Sequence, residues 1–178
     1  KKNWKKSFNQ QKLLQLIVKQ DGGYILVSEE QSFVMKNNYT NAYMGYYSYY
    51  YSPGLSNSVR EYNYGDIAIM SYNAEGQMLW SEWVRKKQFS QDDEGVFSSF
   101  GFMNTGANLI MLYNTFGNES NTITATAIDN KGLLQTARIN QFVMDNDWYL
   151  RGATQIENRA ILIPIFSLFI KSNNYLLI

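Results

Sequence analysis

The chain has no cysteine and no histidine. Without cysteine there is no disulfide framework, no thiolate zinc site and no cysteine nucleophile. Without histidine there is no Ser-His-Asp triad, none of the usual catalytic zinc sites and no histidine switch near neutral pH. Proline occurs only twice in 178 residues, which excludes collagen-like and proline-rich disordered segments. Charge of one sign is lacking too: 16 Lys and Arg face 15 Asp and Glu, so no global field draws in nucleic acid or an anionic membrane. Long hydrophobic runs are also missing. The longest, from Ile161 to Ile170, is broken by Pro164 and Ser167. At about ten residues it is half of the roughly 20 a helix needs to span a bilayer, and a buried strand pair is the better reading. The basic start, Lys1-Lys2-Asn3-Trp4-Lys5-Lys6, is not followed by the apolar stretch of about 7–15 residues that a signal peptide carries. The first residue is Lys rather than Met, so a processed or truncated chain is expected.

What is abundant is aromatic and β-branched. Aromatic residues make up 16% of the chain, with 14 Tyr and 4 Trp, a composition that favours strands and contact surfaces. The chain is long enough to bury a real core as one domain or as part of one. The organising stretch is Tyr64 to Arg85. An apolar run, Ile67 to Tyr72, enters a polar break at Asn73 and leaves through Met78, Leu79, Trp80, Trp83 and Val84. Asn first and Gly76 fourth in the break is the chemistry of a type I turn closed by a residue of positive φ, so this segment reads as a β-hairpin. The same reading covers Leu13 to Val27 around Asp21-Gly22-Gly23, and Val96 to Tyr113 around Asn104-Thr105-Gly106. It also covers Thr122 to Ile139 around Asp129-Asn130-Lys131-Gly132, and Trp148 to Phe166 around Glu157-Asn158-Arg159. Thr122 to Ile128 alternates Thr with Ile and Ala, a period-2 signal.

The hairpins repeat. Gly76 and Gly132 occupy equivalent turns, each preceded by another apolar–turn–apolar unit, and a third such unit ends the chain. Two hairpins make a four-stranded antiparallel unit of about 45–55 residues, the size of a propeller blade. The expected fold is therefore all-β: antiparallel four-stranded sheets in a propeller-like array, residues 1–178 forming one domain or part of one. Residues 1–12 are a polar, basic lead-in. Residues 31–63 are aliphatic-poor and Tyr-rich, and read as a long loop or a protruding hairpin inserted between two core strands, a kind of segment that tends to be functional.

Two phrases carry a resemblance, Asp21 to Glu30 (DGGYILVSEE) and Gly65 to Trp83 (GDIAIMSYNAEGQMLWSEW). They resemble the blade repeats of largely uncharacterised β-propeller proteins of Bacteroidota-type bacteria. The likeness covers about half the chain and weakens at Thr122 to Ile139, where Gln135 stands in place of the repeat's Trp. It implies a propeller-like fold and a periplasmic, outer-membrane-associated or cell-surface location, and it implies no activity. A closed propeller takes about 4 to 8 blades, whereas this chain supplies two and most of a third. Either N-terminal blades are missing, or the sheets stack openly with a partner or the basic lead-in over the edges.

Candidate sites follow from side-chain chemistry. Tyr39, Tyr43, Tyr46, Tyr47, Tyr49, Tyr50 and Tyr51 are concentrated in the insert, and such rings suit a protein partner or stacking on sugars; packing on the base of the insert is the plainer alternative. Trp80 and Trp83 fall on opposite faces of one strand, so one belongs to the core and the other, Trp83, is a contact candidate. Asp92-Asp93-Glu94 and Asp145-Asn146-Asp147 carry oxygen ligands but not the EF-hand spacing, and read as acidic turns. Arg85-Lys86-Lys87 reads as a solvated strand end. No carboxylate pair is singled out for hydrolysis, no phosphate loop occurs, and no cofactor or metal is expected. The expected function is a non-enzymatic interaction or scaffold protein of the bacterial envelope. It would belong to an outer-membrane or secretion assembly and use the insert and residues 86–95 as contact surface. The alternative is a carbohydrate-binding module using Tyr and Trp platforms.

Overall fold

A computed structural model describes residues 10–38, 57–116, 121–139, 147–166 and 174–177. These residues form three antiparallel sheets and, among them, no α-helix. The first sheet is a meander of β1 (Gln11–Val18), β2 (Tyr24–Asn38), β3 (Asn57–Tyr72) and β4 (Met78–Val84), with β5 (Gln88–Gln91) continuing the β4 edge along β3. The middle sheet is the meander β6 (Gly101–Asn104), β7 (Asn108–Phe116), β8 (Asn121–Asp129) and β9 (Leu134–Ile139). In the third sheet β12 (Ala160–Phe166) pairs with β10 (Asp147–Trp148), β11 (Thr154–Glu157) and β13 (Asn174–Leu177). A single 3-10 turn at Leu150–Gly152 lies between β10 and β11.

The turns behave as their chemistry demands. Asn73 and Asp129 open equivalent hairpin turns: each accepts an N–H from the glycine three residues on, 3.1 Å in both cases, and each glycine has positive φ, 79° and 84°. The side chains finish the job: Asn73 Oδ1 accepts from Gln77 N at 2.7 Å, and Asp129 Oδ1 from Leu133 N and Lys131 N, both at 2.8 Å. Those N–H bonds, that from Leu133 first, hold the Asp129 carboxyl below its ordinary value of 3.8. A carboxyl lowered on folding lends stability that is complete above the ordinary value and is lost as pH falls through the lower, folded one. Asp129→Asn should therefore flatten the acid limb of the stability curve below about pH 5 while keeping the turn, which Asn73 shows an amide can close. Urea midpoints followed across that range check this; an unchanged acid limb would mean the turn carries none of it.

The sheets are stacked. Ile25, Val27, Ile67, Ile69 and Val84 of the first sheet pack on Leu109, Met111, Tyr113 and Ile128 of the middle sheet. The opposite face of the middle sheet presents Met103, Leu112 and Ile123 to Trp148, Leu150, Ile161 and Ile163 of the third. Alternation along β7 explains this: Leu109, Met111 and Tyr113 point one way, Ile110 and Leu112 the other, so both faces of the middle sheet are buried. Ile67, Ile69 and Met111 are wholly buried, each contributing about 1.5–3 kcal/mol. Thr124 and Thr126 of β8 are buried as well: Thr126 shares hydrogen bonds with Tyr113 and Thr136, and Thr124 with Thr115 at 2.7 Å.

Two elements differ from the sequence reading and a third falls on one of its two alternatives. Residues 96–100 are not strand; only Gly101–Asn104 pairs, because the chain turns through positive φ at Asp92, Glu94, Gly95 and Ser99 first. Residues 148–156 are not one strand but two short ones around the 3-10 turn. In the insert, residues 31–38 and 57–63 continue the β2–β3 ladder beyond a register shift after Glu29, as the hairpin alternative requires, with Phe33 paired to Tyr62; residues 39–56 lie outside the described residues.

Candidate functional site

Where the first two sheets meet, the apolar core gives way to a buried polar cluster. Strand parity builds it. Ile25, Val27 and Glu29 share one face of β2; on the β4 edge Trp80, Glu82, Val84 and Lys86 share the face that meets it. Two irregularities present the charged pair: a register shift in β2–β3 after Glu29, and the break between β4 and β5, where Asp66 accepts the Lys86 N–H at 3.2 Å and pairs with Arg85. Lys86 Nζ lies 2.6 Å from Glu29 Oε1, with both side chains at 1% exposure or less. It also donates to Gln88 Oε1 at 2.8 Å. Burial pulls the Lys86 ammonium below its ordinary 10.5, and Glu29 pulls it back part of the way. The other carboxylate oxygen of Glu29 accepts from Ser99 Oγ and Gln31 Nε2, each at 2.6 Å.

Ser99 is held from three sides. Its N–H donates to Gln88 Oε1 at 2.8 Å, its carbonyl accepts from Gln88 Nε2 at 3.3 Å, and its hydroxyl donates to Glu29. The Gln88 amide thus acts as a strand partner to a residue whose φ is 74°, an unusual conformation for serine that this network over-determines. A second glutamine does the same at the other end of β6: Gln155 pairs with both the N–H and the carbonyl of Asn104, at 2.9 and 2.8 Å. Asn114 completes the junction. Its carbonyl accepts from Gln88, and its amide donates to the carbonyls of Phe97 and Trp148, each at 2.9 Å, so it ties all three sheets together.

Beside this cluster is a cavity of about 350 Å³ between β1, the segment Ser99–Phe102 and the 3-10 turn. Ser99, Gln31 and Tyr64 form one wall and Leu14, Phe100 and Phe102 supply apolar surface, while Lys12 and Arg151 bring positive charge. Arg151 is set in place: it donates to the Gly95 carbonyl at 2.7 Å and its guanidinium lies 5.0 Å from the centre of the Tyr64 ring. The ammonium of Lys86 lies 5.8 Å from the centre of the same ring.

The sequence candidates fall as follows. Tyr39, Tyr43, Tyr46, Tyr47, Tyr49, Tyr50 and Tyr51 lie outside the described residues. Trp83 is half-buried on the outer face of the first sheet, with the Arg85 guanidinium 6.0 Å from its ring. Trp80 is on the opposite face, donating to the Asn130 carbonyl at 3.0 Å. In the acidic turn, Asp92 accepts from Arg60 N and Asp93 from Gly95 N, which are structural duties. The basic strand end needs correcting: Arg85 and Lys87 are exposed, but Lys86 is buried, because alternation continues past β4 and Val84, Lys86 and Gln88 all turn to the inner face. Sequence reasoning missed Glu29, Gln88, Ser99 and Asn114. The signal for Glu29 was present, since Ile25, Val27 and Glu29 alternate inward; for Ser99 there was none.

No family model matches the chain, and no curated protein and no solved structure matches it. The resemblance of Asp21–Glu30 and Gly65–Trp83 to blade repeats therefore rests on those residues. Among the described residues no cluster of acidic side chains is arranged to hold a metal ion, and no helix is long and apolar enough to cross a membrane.

Proposed function

We propose that this chain is a non-enzymatic interaction or scaffold module whose propeller-like sheets continue a larger β-assembly. The observation that carries the reading is the uncovered face of the first sheet. The middle sheet has both faces buried against sheets like itself. Among the described residues the first sheet has one. On its other side Leu16 and Val18 of β1 share a face with Leu26 and Tyr24, to which they are directly paired, and Met70 and Tyr72 of β3 extend it. Leu16 and Val18 are 59% and 73% exposed, and Leu13 and Met78 add to the patch. A contiguous apolar sheet face of this kind marks an interaction surface. Its occupant is a further antiparallel sheet, because that is what the inner face of the same sheet, and both faces of the next, already accept. The envelope location proposed for the module is supported by the blade-repeat resemblance.

The test uses the purified chain, where the open face has only its own copy to meet. It should self-associate, sedimenting faster as concentration rises. Leu16→Glu with Val18→Glu should return it to a monomer while moving its stability by no more than about 0.5 kcal/mol, the usual limit for exposed positions. A monomer at every concentration with the native residues in place would overturn the reading.

A further inference from the structure

We infer that the cavity beside Ser99 is a binding site for a small organic carboxylate. This surface lies on the inner side of the first sheet and is independent of the open outer face. The charge pattern carries the argument. Glu29, the carboxylate behind the cavity wall, is already satisfied by Lys86, Gln31 and Ser99. Lys12 and Arg151 are not: among the described residues no carboxylate lies within ion-pair distance of either. Two cations therefore line one cavity whose lining holds no carboxylate, so an anion entering it would meet both. Arg151 is also pre-organised. One of its nitrogens is committed to the Gly95 carbonyl and its guanidinium is held near Tyr64, which leaves other N–H groups for a ligand.

The rest of the lining says what the anion carries. Gln15 and Gln31 bring amides, and Leu14, Phe100, Phe102 and Ala153 bring apolar surface. A bare inorganic ion would leave that surface uncovered, whereas a carboxylate on a body of monosaccharide size fits both. At about 350 Å³ the cavity is at the lower end of the range for small-molecule sites. The backbone that frames it is fixed by the Gln88 and Gln155 amides, so binding needs little reordering.

The experiment titrates the whole chain, isotope-labelled, with glucuronate, hexanoate and neutral glucose, following the backbone amides of Ser99 to Phe102 by NMR. Saturable shifts with glucuronate or hexanoate, absent with glucose, are expected; which acid binds more tightly tells whether the ligand body is hydroxylated or apolar. Arg151→Gln and Lys12→Gln should each weaken binding about tenfold, the loss of one charge-assisted contact. Lys12 makes no contact that holds the sheets together, so its variant remains informative if Arg151→Gln unfolds. Absence of saturable shifts with both acids, equal binding of glucose, or undiminished affinity in the Lys12 variant would overturn the site.

Discussion

Glu29→Gln should cost about 3–5 kcal/mol of stability, a large share of the roughly 5–15 kcal/mol that holds a typical domain folded. The reason is the charge that stays behind. Lys86 Nζ is buried against Glu29 Oε1 and Gln88 Oε1, and its ammonium is already disfavoured by burial. With glutamine at position 29 the Coulombic support goes and the desolvation cost remains. Protonation then supplies a distinctive signature. A lysine whose pKa is lowered on folding binds fewer protons in the folded chain, so stability rises with pH from the folded value up to the ordinary 10.5. In Glu29→Gln that lowering is greater and the window opens nearer neutrality, so the variant should regain stability on mild alkalinisation more steeply than the native chain. Adding Lys86→Met should recover much of the loss, since the new amide at position 29 can still accept from Ser99 and Gln31, and the uncompensated charge is gone. Urea denaturation of the four proteins of this double-mutant cycle at two pH values reads all of this out. Additive losses would show that the two residues do not act as a pair.

This pair also shows where sequence reasoning reached and where it stopped. Hairpins and all-β class were legible because their signals are local. Asn73 and Asp129 with a glycine three residues on have few other uses, and the alternation in Thr122 to Ile128 is strand alternation. The extension of β2 and β3 through residues 31–38 and 57–63 was half legible: polar and Tyr-rich strands that project beyond the core lack the apolar alternation that marks a buried strand. Lys86 was legible only by parity, since it stands two residues after Val84 and two before Gln88. Three consecutive basic residues look like solvent-facing charge, and what makes one of them tolerable inside is a carboxylate on a strand far away in sequence, Glu29, which no local pattern supplies. Ser99 is further out of reach. Its left-handed backbone is imposed by Gln88, a residue on another sheet, through hydrogen bonds that no local pattern encodes.

Asn114→Leu should cost about 2–5 kcal/mol, although the two side chains share the same branching and number of heavy atoms and the position is only 4% exposed. A purely apolar account of the core would predict the opposite, because leucine buries more hydrocarbon than asparagine. The difference lies in what asparagine satisfies. Its amide nitrogen donates to the carbonyls of Phe97 and Trp148, one from the turn that leads into the middle sheet and one from the third sheet. Leucine would remove the donor from both carbonyls, at a buried position for Trp148 and a partly buried one for Phe97, and a lost buried hydrogen bond that leaves its acceptor unsatisfied costs about 1–3 kcal/mol. Asn114→Asp should be worse than Asn114→Leu at neutral pH, since an anion would face the same two carbonyls, and it should improve as the pH is lowered and the carboxyl acquires a donor proton. Hydrogen exchange separates this from a general loosening. Protection should fall first at Trp148 and along Ser98 to Phe102, where the three sheets meet, while the β7–β8 ladder far from the junction, around Leu109 and Ile128, keeps its protection. Uniform loss across the middle sheet would mean that Asn114 stabilises β7 itself rather than the junction between sheets.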